Sequence, residues 1–216
     1  MIRPARLRSP ALLRSAAWLR SYAVAWLYLA VFVVTALIYD ARSASEQAAI
    51  SQWASTNVVN LRHDPVGSLA ASAFIAGSAG AWPVLITLAM FGANRALGNW
   101  RTALVCAAGQ IIGTLVSEGI VDDRVSRGLL PAADLNLLDI GPSYVVVSAI
   151  AAAVLYGSWP ARIAATAGFA ILVFAGHIFA GLTSLDVAAV GHTTAIAVAA
   201  ALASLLVWQR RRSQPL

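Results

Sequence analysis

The residues Asp139-Ile140-Gly141-Pro142-Ser143-Tyr144 lead directly into an uncharged apolar run that ends at Tyr156. Glycine and proline favour the opening of a helix, and proline suits its first position. The run therefore predicts a membrane-spanning helix over residues 141–156, with Ser143 close to its first end. Because the first N–H groups of a helix lack intrahelical acceptors, we expect those of Ser143 and Tyr144 to be free. Free N–H groups beside a serine hydroxyl are what an oxyanion hole requires.

The composition indicates a membrane protein. The chain has 216 residues, of which 60% are hydrophobic and 11% are charged, whereas about a quarter of a soluble domain is charged. The net charge of +6 comes from 15 basic residues, all of them arginine. They cluster beside apolar runs, as cytoplasmic arginines of membrane proteins do, so we expect a lipid bilayer as partner and no nucleic acid. The single cysteine, Cys106, excludes an internal disulfide framework and a cysteine metal site.

Six apolar runs predict an all-α, polytopic membrane protein. The first run exceeds the roughly 7–15 residues of a signal-peptide core and approaches the ~20 that cross a bilayer, so we interpret it as a span. The expected spans are residues 21–39, 82–97, 102–116, 141–156, 161–182 and 186–208. An interfacial helix over 48–59 and a polar outer loop over 117–139 are also expected. This predicts a basic N-terminus (1–20), a six-span domain (21–208) and a basic tail (209–216).

The distribution of charge predicts the orientation. Most arginines lie in the N-terminal segment, near the two short turns and in the tail, whereas the acidic residues lie in the other loops. Six spans place both termini on the same side of the membrane. Because arginine is enriched in cytoplasmic segments, we expect both termini in the cytoplasm, at a bacterial plasma membrane.

Ser143 and His192 are the candidate catalytic pair. Counted from the outer ends of their helices, they lie about 6 Å and about 9 Å into the bilayer, so their side chains can share a depth. A serine and a histidine in contact can act as nucleophile and base. Small residues follow the histidine at Ala195 and Ala199, which favours close approach of another helix. The alternative is structural: a serine that caps its helix and a histidine bonded to a carbonyl group.

These motifs resemble the rhomboid family of intramembrane serine proteases, in particular the divergent rhomboid-like membrane proteins of actinobacteria. The resemblance rests on Gly141-x-Ser143 in the fourth span and His192-x-x-Ala195-x-x-x-Ala199 in the sixth. Segments 60–65, 74–78 and 91–92 are similar to further landmarks of the family. The resemblance implies a six-span bundle that cuts membrane-anchored substrates with a Ser143–His192 dyad, without a metal or other cofactor.

Two departures from the family pattern keep the function open. Tyr144 follows the serine where the family has glycine, and residues 80–90 lack the His-x-x-x-Asn that supports the oxyanion. Loss of one such donor costs about 10²–10³ in rate. The chain is therefore interpreted either as a serine endopeptidase or as a pseudoprotease that binds transmembrane clients. A haem protein using His177 and His192 is a third hypothesis. A transporter is disfavoured, because no internal repeat and no acidic residue at the centre of a span is visible.

Overall fold

The computed structural model describes residues 17–213, and the regular elements in that range are helices. They include α1 (Ala23–Asp40), α2 (Ala44–Ala54), α3 (Val58–His63), α4 (Pro65–Ser72), α5 (Trp82–Leu97), α6 (Asn99–Ser126), α7 (Ser143–Tyr156), α8 (Trp159–Phe174) and α9 (Val187–Arg212). Two short 3-10 segments, Ala132–Asn136 and Leu182–Ser184, lie in the loops before α7 and α9. The predicted all-α class is confirmed. Most of the predicted basic N-terminus and the end of the tail lie outside the described residues.

Local sequence signals explain where several helices begin. Ser43 and Glu46 form a capping box at the start of α2, which satisfies two N–H groups that the helix itself cannot. The side chain of Asp186 accepts hydrogen bonds from the first N–H groups of α9. Pro160 lies in the first turn of α8, as its fixed φ favours. These residues define where α2, α8 and α9 begin.

Three predicted boundaries were wrong. Helix α6 continues to Ser126, through a segment expected to be a polar loop, because Ser117, Glu118 and Val121 are buried on its inner face. Helix α8 ends at Phe174, and turns replace the end of the predicted span. The expected interfacial helix over 48–59 is broken by residues 55–57, which are buried between α2 and α3.

Helix lengths support a membrane protein but do not establish six crossings. Only α1, α6 and α9 are long and apolar enough, among residues 17–213, to be clear candidate spans. Helix α7 has 14 residues, or about 21 Å, against a hydrocarbon core of about 30 Å. It packs against α5, α6, α8 and α9, and nine of its residues are buried. Protein therefore surrounds this short helix where lipid would otherwise contact it.

Small residues bring α6, α7 and α9 close together. A Cβ placed on Gly113 of α6 would lie 3.0 Å from the carbonyl oxygen of Gly191 and 3.3 Å from Cβ of Ala195, both on α9. Ala195 and Ala199 are fully buried. Such close approach by glycine and alanine is how membrane helices gain packing contacts without a hydrophobic driving force. It also leaves little free space around the side chains that α7 directs toward α9.

Candidate functional site

His192 is held by a backbone carbonyl group. It lies in the second turn of α9 and is 5% exposed, and its Nδ1 is 3.0 Å from the carbonyl oxygen of Ile178. A carbonyl oxygen can only accept, so this contact assigns the ring proton to Nδ1 in the neutral imidazole. Nε2 is then the acceptor, and it is buried without a hydrogen-bond partner among the described residues.

Ser143 is the first residue of α7 and is half-buried. At 3.6 residues per turn, it shares a face of the helix with Val147 and Ile150. That face points toward α8, which contains Gly168. If Gly168 had a Cβ, it would lie 3.8 Å from Cδ1 of Ile150. In the described part of the chain, no side chain caps α7, so the N–H groups of Ser143 and Tyr144 remain donors at the start of the helix.

Tyr144 is the residue of α7 that lies against His192. The ring centroids are 5.0 Å apart and the planes are inclined at 83°, the edge-to-face arrangement that aromatic rings favour. The structure therefore brings Tyr144 and His192 together. Within residues 17–213, no hydrogen bond joins Ser143 to His192, and the Ser143–His192 dyad stays a prediction.

Gly141 has a structural reason for its place in the motif. Its φ is +130°, in a region that side chains other than hydrogen rarely tolerate. Its N–H donates to the carbonyl oxygen of Ser72, 3.0 Å away at the end of α4. The glycine thus ties the start of α7 to α4.

Asp139 anchors the loop that precedes α7. The Thr56 N–H donates to the Asp139 carbonyl oxygen at 2.9 Å, and the Asp139 N–H donates to Ser55 Oγ at 3.0 Å. Asp139 Oδ2 accepts from the hydroxyl groups of Thr56, at 3.1 Å, and Tyr144, at 3.2 Å. The tyrosine that covers His192 is therefore itself fixed by a carboxyl group five residues earlier.

Asp139→Asn is expected to change how stability depends on pH. Burial raises the pKa of the Asp139 carboxyl group above its ordinary value, and the nearby charge of Asp186 raises it further, against the hydrogen bonds from Thr56 and Tyr144. A raised carboxyl pKa stabilises the fold below the ordinary value of 3.8, and this stability is lost as pH rises through the folded-state pKa. We therefore expect the stability of Asp139→Asn to increase relative to that of the wild type as pH rises from about 4 to about 8. Thermal unfolding across this range measures the difference.

The control for this pH series is Asp134→Asn, which removes a carboxyl group from the same loop. It separates the effect of Asp139 from the effect of removing any carboxyl group from this loop. Parallel profiles for the wild type and Asp139→Asn would contradict the expectation, because they would show that ionisation of Asp139 does not lower the stability of the fold.

A polar face of α6 was missed by sequence reasoning. Gln110, Thr114 and Glu118 lie four residues apart on one face of the helix. Glu118 is 2% exposed, and neither of its carboxyl oxygens has a hydrogen-bond partner in the described part of the chain. It lines a cavity of about 180 Å³ beside Asp122 and Arg62, which form an ion pair at 2.7 Å. The four-residue spacing of these polar residues could have revealed this face. The predicted helix ended at residue 116, however, and so did not include Glu118.

The two histidines of the haem hypothesis occupy different surroundings. His177 is exposed in the turn after α8, with a φ of +49°, whereas His192 is buried and already uses Nδ1 for the Ile178 carbonyl group. In the described range, no group of three or more histidine, cysteine or acidic side chains is arranged to hold a metal ion.

Long apolar helices that enclose a short central helix define an integral membrane protein. Residues 17–212 of the chain match the model of the family described as "Rhomboid-like protein". The match spans nearly the whole chain, so the protein belongs to this rhomboid-like family, as its motifs predicted. No significant match was found among curated proteins or solved structures.

Proposed function

We propose that this rhomboid-like protein binds transmembrane segments of other membrane proteins without cleaving them. In this proposal six helices cross a bacterial plasma membrane and both termini lie in the cytoplasm. The observation that carries the non-proteolytic function is the ring of Tyr144, which lies against the imidazole of His192. A serine nucleophile would need to occupy that face of α7.

In this proposal, Ser143 and His192 would have to be brought together before they could react. A nucleophile and its base lie within hydrogen-bond reach, about 2.6–3.2 Å. For Ser143 to take the position of Tyr144 beside His192, α7 would have to rotate about its axis by about 100°, the angle between successive helical residues. The Tyr144 hydroxyl, 3.2 Å from Asp139 Oδ2 and 3.3 Å from the Val187 carbonyl oxygen, opposes that rotation. So does the close packing of α6 and α9 around the ring.

Client binding is supported by an apolar groove between α1, α4 and α6. Its volume is about 680 Å³ and side chains of these helices form most of its lining. A groove between membrane helices is accessible to a helix that diffuses in the bilayer. Binding there would not require any reactive group.

A serine protease is the second candidate function, and the orientation of His192 favours it. The hydrogen bond from Nδ1 to the Ile178 carbonyl group leaves Nε2 as a neutral acceptor, the form that a general base needs. The uncapped start of α7 would offer N–H donors to an oxyanion. This candidate requires a state in which Ser143 reaches His192.

The test is labelling of the purified protein with a fluorescent fluorophosphonate, comparing the wild type with Ser143→Ala and His192→Ala. We expect no labelling that depends on Ser143, because no base is hydrogen-bonded to its hydroxyl group within residues 17–213. Ser148→Ala is the matched control, since Ser148 lies on the same helix and donates to the Tyr144 carbonyl oxygen at 2.7 Å. Labelling of the wild type that disappears in both Ser143→Ala and His192→Ala would establish an activated serine and replace the proposal with the protease.

A further inference from the structure

In the lining of the groove between α1, α4 and α6, one polar group has no hydrogen-bond partner among the residues that the structure describes. Its lining is otherwise apolar or internally satisfied: the Tyr28 hydroxyl, for example, donates to the Ala73 carbonyl oxygen at 2.7 Å. Gln110 is 5% exposed and lines the groove. Its Oε1 is buried and has no hydrogen-bond partner in residues 17–213.

The orientation of the Gln110 amide follows from its neighbour. Gln110 Nε2 is 3.0 Å from Ser72 Oγ, and that hydroxyl donates to the Leu69 carbonyl oxygen at 3.3 Å. Since the serine proton is used in this way, Ser72 accepts from Gln110, and Nε2 is the donor. Oε1 is therefore an acceptor without a donor among residues 17–213, and burying such an acceptor without a hydrogen bond is unfavourable.

The depth of Gln110 limits what can supply the missing donor. It lies eleven residues above Asn99, the first residue of α6, or about 16 Å along the helix. Half the hydrocarbon core is about 15 Å, so Gln110 lies near the bilayer midplane if α6 crosses the membrane. Lipid headgroups do not reach this depth, and acyl chains carry no donor. A polar side chain on another transmembrane helix does reach it.

We propose that this groove binds the transmembrane helix of another protein, and that a serine, threonine or asparagine near the middle of that helix donates a hydrogen bond to Gln110 Oε1. The inference rests on the proposed client-binding function and names the chemistry of the client. Apolar contact with the groove gives little preference over lipid, because lipid chains are equally apolar. The hydrogen bond to Gln110 therefore selects the client.

The experiment measures energy transfer between the full-length protein and fluorescent transmembrane peptides in phosphatidylcholine vesicles. Two leucine-alanine peptides are compared, one with a central asparagine and one with leucine at that position. We expect the asparagine peptide to bind about 3- to 15-fold more tightly, the range measured for hydrogen bonds between membrane helices.

Three variants locate the interaction. Gln110→Leu should remove the preference for asparagine while the leucine peptide binds as before. Ala107→Leu, which fills the groove and leaves the Gln110–Ser72 contact in place, should weaken binding of both peptides. Leu104→Ala is the control, because Leu104 is exposed on α6 outside the groove, and it should bind both peptides as the wild type does.

The outcomes separate the inference from the proposed function. A preference for asparagine that survives Gln110→Leu, or binding unaffected by Ala107→Leu, would overturn the assignment of the groove. So would self-association of the chain that Ala107→Leu abolishes, since a second copy would then be the occupant. Cleavage of a bound peptide would instead overturn the non-proteolytic function and leave the groove assignment standing.

Discussion

Gly191→Val is expected to lower the free energy of unfolding by about 3 kcal/mol or more, at the upper end of overpacking costs. A Cβ on Gly191 would overlap the hydroxyl group and ring of Tyr144. The tyrosine has nowhere to move: it is 3% exposed, its hydroxyl group is bound to Asp139 and its ring rests on His192. Helix α9 would have to move away from α7.

The matched control is Gly119→Val on α6. Apart from the backbone of its own helix, a Cβ at Gly119 meets no atom of residues 17–213 within 4 Å, so the same substitution should change stability by no more than about 0.5 kcal/mol. Thermal unfolding in detergent micelles measures both variants against the wild type. Equal losses at the two glycines would contradict the argument, because the effect would then come from valine in a helix and not from contact with Tyr144.

The sequence predicted the parts of the fold that depend on local chemistry. Proline and apolar runs identified the positions of α7 and α8, and Gly141 was recognised as the opening of α7. The end of α6 was missed because charge was treated as a sign of a loop, although Glu118 is buried on an inner face. A charged residue is exposed only when no neighbouring segment covers it. Here Val58 of α3 lies beside Glu118 and covers it.

The geometry of the candidate site could not be derived from the sequence for a related reason, and the Ser143–His192 dyad stays a prediction. The expected depth in the bilayer pointed to His192 and the first turn of α7, but depth does not determine which face of a helix meets a neighbour. That choice depends on tertiary packing, in which Gly113 and Gly191 leave space for the ring of Tyr144. The sequence places Ser143 and Tyr144 equally close to the histidine in depth, and the motif favoured the serine.

Tyr144→Ala is expected to produce the second large effect, a loss of about 3–5 kcal/mol for deletion of a buried aromatic ring, together with exposure of His192. Tyr144→Phe removes only the hydroxyl group. It should cost about 1–3 kcal/mol, because it leaves Asp139 and Val187 with one hydrogen bond fewer. Thermal unfolding gives both values.

Modification by diethyl pyrocarbonate, which acylates neutral imidazole, reports directly on the shielding of His192. His63 and His177 are exposed and serve as internal standards in the same mass spectrum. We expect His192 to be protected in the wild type and in Tyr144→Phe, and to be modified in Tyr144→Ala. Rapid modification of His192 in the wild type would show that the ring does not cover the imidazole.

The same variants distinguish a blocked protease from a protein whose serine faces away from the base. If Tyr144 were only an obstacle, its removal in Tyr144→Ala would let Ser143 react with a fluorophosphonate. We expect His192 to become accessible while Ser143 stays unlabelled, because Ser143 shares its face of α7 with Ile150, which packs toward Gly168. An accessible histidine beside an unreactive serine would mean that the orientation of α7, more than the bulk of one side chain, separates this protein from a serine protease.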